Sequence, residues 1–294
     1  MNQPQHILAA TDLSAPARHA VERAALVCKD MAAALELLHV ANLAPLERLR
    51  QFMGTTPADM EQRVLDVARQ KTSDLAAALE QRFGVAVGVH VATGYLLAEL
   101  ARNIEGLVAS LLVCGARGES VIRHFMLGTT ALRVLSTSTC PVLVVKQPPH
   151  ESYRRILLLV DFSASSLRAI QQARRIAPQA RIVLLHVFEV PFEGQLRYAG
   201  VAKDTLNQYR IVAKQEATEK LRALSKESGL TFDESCQVVL YGDPTVRILE
   251  QEQEQDCDLI VMGKHGESPI EELLLGSITK HVLVESQADI LVSV

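Results

Sequence analysis

Two stretches of this chain carry residue types at a spacing suited to holding an anion. The first is Gly115-Ala116-Arg117-Gly118, nine residues, then Gly128, Thr129 and Thr130. The second is Gly263-Lys264-His265-Gly266, nine residues, then Gly276, Ser277, Ile278 and Thr279. Each follows a short apolar run, Leu107–Cys114 or Asp258–Met262, and each leads into apolar residues at helical spacing. A chain that leaves a strand, makes a glycine-rich excursion and enters a helix presents unpaired N–H groups and the positive end of the helix dipole. Glycines let backbone approach a phosphate closely, and Ser or Thr hydroxyls add donors. Arg117 and Lys264, each inside a glycine pair, are placed to screen phosphate charge. One such pattern is also what a tight turn after a strand needs. The occurrence of two with the same spacing favours phosphate binding.

Asp12 and Asp161 are the next candidates. Each ends the first apolar run of its half, where ligands of open α/β sheets gather. An Asp there can accept hydrogen bonds from a ribose or an adenine amino group. It can equally cap the following helix, and one residue can do both.

The elements that position these residues alternate. In the first half, apolar runs at 6–11, 34–40, 85–91, 107–114 and 140–145 read as strands. Helical spacing covers 15–33, with Ser14 as N-cap and Pro16 in the first turn, then 57–82, 95–105 and the segment from Gly128. The second half repeats the order, with strands at 156–160, 182–187, 231–240, 258–262 and 289–294, and a long helix near 204–228. The connections 41–56 and 188–203 carry no clear pattern. Asp12 stands 149 positions before Asp161 and Gly94 stands 148 before Gly242. Gly115, Gly118 and Gly128 stand 148 before Gly263, Gly266 and Gly276. The chain therefore reads as two copies of one α/β domain, residues 1–146 and 153–294, joined by a proline-containing linker at 147–152. Strands alternating with helices imply a five-stranded parallel sheet in each, with helices on both faces.

Several chemistries lack their residues. A dinucleotide fold needs its glycine fingerprint after the first strand, where Thr11–Pro16 stands instead. No GxxxxGK[ST] is present, and no HxxxH, HExxH or paired-Cys spacing marks a metal centre. A phospho-acceptor Asp is missing from the end of the third strand. His39 and His186, at matching strand ends, fit a structural role better than a catalytic one. Arg123, His124 and His265 read as solvated loop residues. No catalytic base, Walker-type lysine or magnesium carboxylate cluster is evident, so a dedicated enzyme is not indicated, and a slow ATPase stays open.

Composition narrows the partners. A net charge of −4, aromatics at 4% and no Trp argue against nucleic acid and anionic membrane. No apolar run approaches 18 residues. The five cysteines form no CxxC pair and lie mostly in apolar runs, and no signal peptide is indicated, which suits a cytoplasmic location.

With both motifs in place, the sequence closely resembles the universal stress protein family in its tandem two-domain form. The resemblance rests on Ala10–Ser14, Gly115–Gly118, Leu127–Thr130 and Cys140–Val145, and again on Val160–Ser163, Gly242–Pro244, Gly263–Gly266 and Leu275–Thr279. It implies flavodoxin-like, adenine-nucleotide-binding domains with ATP, and possible Mg2+, across the strand ends. By the same resemblance, Asp161 and Val187 contact the base, Gly263 the ribose region, and Gly266, Gly276, Ser277 and Thr279 the phosphates. Asp12, Val40, Gly115, Gly118, Gly128 and Thr129 are their first-domain equivalents, with Thr130 beside them. It further implies pairing of the two domains through last-strand edges, and allows a homodimer. Ala131 replaces the hydroxyl of Thr279 in the first domain. A lost charge-assisted bond to phosphate is worth about 1.5–3 kcal/mol, so tighter binding is expected in the second domain. The alternative function is a scaffold or small-ligand binder whose glycine loops are relics.

Overall fold

The computed structural model describes residues 5–53, 59–118, 128–231, 235–264 and 275–294. The chain divides into two compact units, Met1–Ser152 and Tyr153–Val294. The first contains β1 (His6–Ala10), α1 (Ala15–Met31), β2 (Ala34–Ala41), α2 (Ala44–Met53), α3 (Met60–Phe83) and β3 (Val87–Thr93), followed by α4 (Leu96–Leu107), β4 (Leu111–Gly115), α5 (Thr129–Thr137) and β5 (Val142–Val145). Its strands are all parallel, in the order β3-β2-β1-β4-β5.

The second unit contains β6 (Arg155–Leu159), α6 (Ala164–Ile176), β7 (Arg181–Phe188), α7 (Glu193–Tyr198), α8 (Lys203–Glu227) and β8 (Ser235–Tyr241), then α9 (Pro244–Glu254), β9 (Leu259–Gly263), α10 (Ser277–Glu285) and β10 (Asp289–Ser293). Its parallel order, β8-β7-β6-β9-β10, repeats that of the first. In each unit the chain steps outward from its first strand in one direction, then returns to add strands on the other side. Right-handed crossovers then put successive helix pairs on opposite faces.

The sequence explains these elements. Strands covered on both faces read as continuous Val, Ile and Leu, and Ile7–Ala9, Leu112–Val113, Ile156–Leu158 and Leu259–Val261 are completely buried. Helix α1 starts at Ser14, whose hydroxyl accepts from the Ala17 amide at 3.3 Å, with Pro16 in the first turn. Helix α9 starts likewise at Asp243, whose carboxylate accepts from the Val246 amide at 3.0 Å, followed by Pro244.

Several segments differ from the sequence expectation. The strand expected over 107–114 begins at Leu111, because Leu107 ends α4 and Val108 turns left-handed with φ of 49°. A short apolar run does not distinguish the end of an amphipathic helix from a buried strand. The strand expected over 231–240 begins at Ser235 within the described residues and runs to Tyr241. The connections without a clear pattern hold short helices, α2 and α7.

Candidate functional site

The point where strand order reverses lies between β1 and β4 in the first unit and between β6 and β9 in the second. There, the carboxyl ends of two strands diverge and leave a crevice. In the second unit this crevice is a cavity of about 460 Å³. Seven of the nine second-half candidates line it: Asp161, Val187, Gly263, Gly276, Ser277, Ile278 and Thr279. Lys264 stands directly behind Gly263 and is absent from the lining; its amide donates to the Ser293 carbonyl at 2.8 Å, and partial burial lowers its ammonium pKa. Gly266, with His265, lies outside the described residues, as do Arg123 and His124.

One part of the cavity lining is an organised carboxylate. Asp161 Oδ1 accepts from the Ser163 amide at 3.0 Å, the Ser163 hydroxyl at 2.6 Å and the Ser166 hydroxyl at 2.7 Å. Another part is the start of α10. Its N-cap is Gly276, which has no side chain to accept from the first-turn amides, so Ser277, Ile278 and Thr279 present their N–H groups there. Thr279 is buried in the cavity wall. A carboxylate that accepts hydrogen bonds and a donor-rich helix start thus line one cavity. That polarity suits a ligand with donors at one end and negative charge at the other.

The first unit repeats the arrangement around a cavity of about 490 Å³. All eight first-half candidates line it: Asp12, Val40, Gly115, Arg117, Gly118, Gly128, Thr129 and Thr130. Asp12 Oδ1 accepts from the Ser14 amide at 3.0 Å. Gly118 packs on this same carboxylate: a Cβ placed on it would lie 2.6 Å from Asp12 Oδ2. A Cβ on Gly115 would meet the Arg117 carbonyl at 2.9 Å. Gly115 therefore has a backbone reason for being glycine, whereas a side chain at Gly118 would require the Asp12 carboxylate to shift. Gly276 does not: a Cβ there would sit 3.6 Å from Thr279 Oγ1, an ordinary contact.

Both aspartates precede a residue in the left-handed region, Leu13 with φ of 65° and Phe162 with φ of 63°. Bulky residues in this region cost roughly 1–3 kcal/mol each and persist where the surroundings fix them. The histidines also match. His39 Nδ1 donates to the Thr11 carbonyl at 2.9 Å and His186 Nδ1 to the Val160 carbonyl at 2.7 Å. Each ring ties the end of the second strand to the residue before the aspartate, and His186 packs at 4.4 Å between centroids on Phe162. The histidines tether the site's backbone, in keeping with a structural role.

Sequence reasoning missed part of the lining. Ser166, Pro244, Ile248 and Met262 border the second cavity, and Ala17, Leu96, Leu100 and Cys114 stand at the matching places of the first. Their signal was available only through the repeat offset, since each looks like an ordinary helix or strand residue. Burial raises the Cys114 thiol to about 12, which leaves it as packing and not as a nucleophile. Among the described residues, no group of three His, Cys, Asp or Glu side chains is placed to hold a metal ion.

The family model described as the universal stress protein family matches residues 4–146 and again 152–293. The chain belongs to the universal stress protein family. A universal stress protein of Methanocaldococcus jannaschii is 27% identical over 152 residues, covering 48% of this chain and 94% of that protein. A universal stress protein of Mycolicibacterium smegmatis is 25% identical over 304 residues and covers 97% of this chain and 96% of its own length. Among solved structures, a universal stress protein from Archaeoglobus fulgidus aligns over 99% of both chains with a TM-score of 0.69 at 21% identity, a likeness of fold. The two family matches account for the duplicated cavity: this is a tandem member of the family, with one crevice in each copy.

Proposed function

We propose that this universal stress protein holds ATP, or a related adenine nucleotide, at the switch point of one or both domains. It acts in the cytoplasm through nucleotide-dependent conformation or choice of partner. The observation that carries this reading is the presence, twice over, of a carboxylate and a donor-rich helix start in the lining of one cavity of nucleotide size. Asp161 and Asp12 would accept hydrogen bonds from the base or ribose. Ser277, Thr279 and the first-turn amides of α10 would take the phosphates, as Thr129 and Thr130 would in α5. Mg2+ would enter on the phosphate oxygens of the nucleotide, as it commonly does. Pairing of the two domains and a homodimer belong to the same proposal, and sedimentation of the full chain tests the dimer.

A specific observation favours a second reading. Gly115 has a steric reason for being glycine that requires no ligand, the Arg117 carbonyl, as a scaffold with relic loops would show. Gentle purification followed by mass spectrometry of released small molecules, with calorimetric titration of ATP, separates the two. Stoichiometric adenine nucleotide, or saturable binding in the micromolar range, supports the proposal. Neither being seen would sink it. Phosphate release that vanishes in Gly276→Asp would add slow ATPase activity.

A further inference from the structure

The second unit has a side-chain network that is not repeated among the described residues of the first. It joins three elements: Glu193 on α7, Arg210 on α8 and Tyr241 at the carboxyl end of β8. The Tyr241 hydroxyl donates to one oxygen of the Glu193 carboxylate, and Arg210 Nη2 donates to the other. Arg210 Nη2 also reaches the Tyr241 hydroxyl at 3.0 Å, and its guanidinium lies 4.2 Å over the Tyr241 ring. Phe188 also packs on that ring, tilted, at 5.8 Å between centroids. At the repeat offset the first unit has Thr93 in place of Tyr241, with neither ring nor phenol.

Helix α7 contains no buried residue. Its position therefore rests on this network more than on apolar burial, which makes it a segment of low local stability. The network also stands on β8 and its neighbour β7, of which β7 contributes Leu185, His186 and Val187 to the cavity wall. Phe188 and Tyr241 are register partners, and each adjoins a wall segment. Val187 lines the cavity just before Phe188. Gly242, just after Tyr241, donates its amide to the Phe188 carbonyl at 3.1 Å. Asp243 then caps α9, which contributes Pro244 and Ile248 to the cavity. Arg247 of the same helix donates Nε to the Tyr241 carbonyl at 3.1 Å.

We propose that Glu193, Arg210 and Tyr241 are positioning residues for the second-domain cavity. They clamp α7 against the ends of β7 and β8 and so hold Val187 and Pro244 in the wall. Docking of α7 and binding of ligand then favour one another, since such coupling is reciprocal. The proposal rests on the nucleotide reading for its ligand and assigns regulation to the second site alone.

The test uses the full chain, ATP and hydrogen exchange. In the wild type, ATP is expected to slow exchange over 189–202 as well as over 259–264. Tyr241→Phe keeps the ring and removes only the hydroxyl. Glu193→Gln keeps the shape and removes the charge. Either variant is expected to weaken the second site by roughly fivefold or more and to abolish the ATP effect over 189–202. Exchange over 111–118, which reports the first site, should respond to ATP as in the wild type. Unchanged second-site affinity in Tyr241→Phe, or full ATP protection of 189–202 in that variant, overturns the latch and leaves the nucleotide reading standing. Absence of any ATP binding by the wild type overturns both. If Glu193→Gln fails to fold, Tyr241→Phe decides alone.

Discussion

The carboxylate of Asp12 and the backbone of Gly118 are in direct apposition: any side chain at Gly118 would start 2.6 Å from Asp12 Oδ2. The glycine loop of the first domain is thus closed upon the residue that heads its cavity. Gly118→Ala is expected to push Asp12 off its bond to the Ser14 amide, at a cost of about 1–3 kcal/mol typical of overpacking. The melting temperature should fall by roughly a few degrees, with loss of first-site binding. Calorimetry on the variant measures both, and wild-type values for both would refute the contact's importance.

Gly276→Ala separates binding from stability. Its backbone, φ −55° and ψ 153°, suits alanine, and the added methyl meets only Thr279 at an ordinary distance. The unliganded variant should melt within about 0.5 kcal/mol of wild type, as benign substitutions do. The methyl nevertheless enters the space before the α10 amides, so ATP-dependent stabilisation of the second domain should be lost. Thermal shift with and without ATP reads the difference.

Thr279 and Ala131 are equivalent and both buried. Thr279→Ala is expected to cost the second site about 1.5–3 kcal/mol of ATP affinity, roughly one to two decades, if the hydroxyl bonds a phosphate. Titration of the full-length variant against wild type checks this. Equal affinities would remove Thr279 from the site.

The latch gives α7 a pH window. The Tyr241 hydroxyl, followed by Arg210, holds the Glu193 carboxyl below the ordinary glutamate value, and Arg197 adds to the pull. Its contribution is therefore present above that ordinary value and lost as pH falls through the depressed one. Glu193 and burial push the Tyr241 phenol up, against the nearby Arg210. Its contribution is present below the ordinary tyrosine value of about 10 and lost as pH rises through the raised one. Protection of 189–202, corrected for intrinsic exchange, should plateau near neutrality and fall on both sides. Tyr241→Phe should keep the acid limb weakly and lose the alkaline one.

Thiol labelling tests the cores of both units. Burial raises the Cys28, Cys114 and Cys257 thiols to about 12. Cys236 is half-buried. At pH 8 a thiol reagent should modify Cys236 first and the four buried cysteines, Cys140 included, only on unfolding, as mass spectrometry of timed samples will show.

Most of the fold was legible because parallel strands covered on both faces announce themselves as Val, Ile and Leu runs, and the repeat allowed each half to check the other. The site was legible where chemistry is tied to chain order, as with Asp161 before α6 and Gly276 before α10. It was not legible where it depends on contacts between distant segments. Ser166 looked like a helix residue, and nothing local announces that Gly118 lies on Asp12. Glu193, Arg210 and Tyr241 are far apart in sequence and meet only because β7 and β8 are neighbours. Helices α2 and α7 are short connections with weak periodicity, and local patterns do not resolve such pieces.

The left-handed backbone at Leu13 and Phe162 has a consequence for how this chain can adapt to heat. Asparagine enters that region far more readily than leucine or phenylalanine, so one residue change at either place would relax the turn. Those turns also aim Asp12 and Asp161. A lineage selected for thermal endurance alone would find an easy gain there, and would risk loosening both carboxylates in taking it. Relief of backbone strain and the aim of the two carboxylates meet at the same pair of backbone positions.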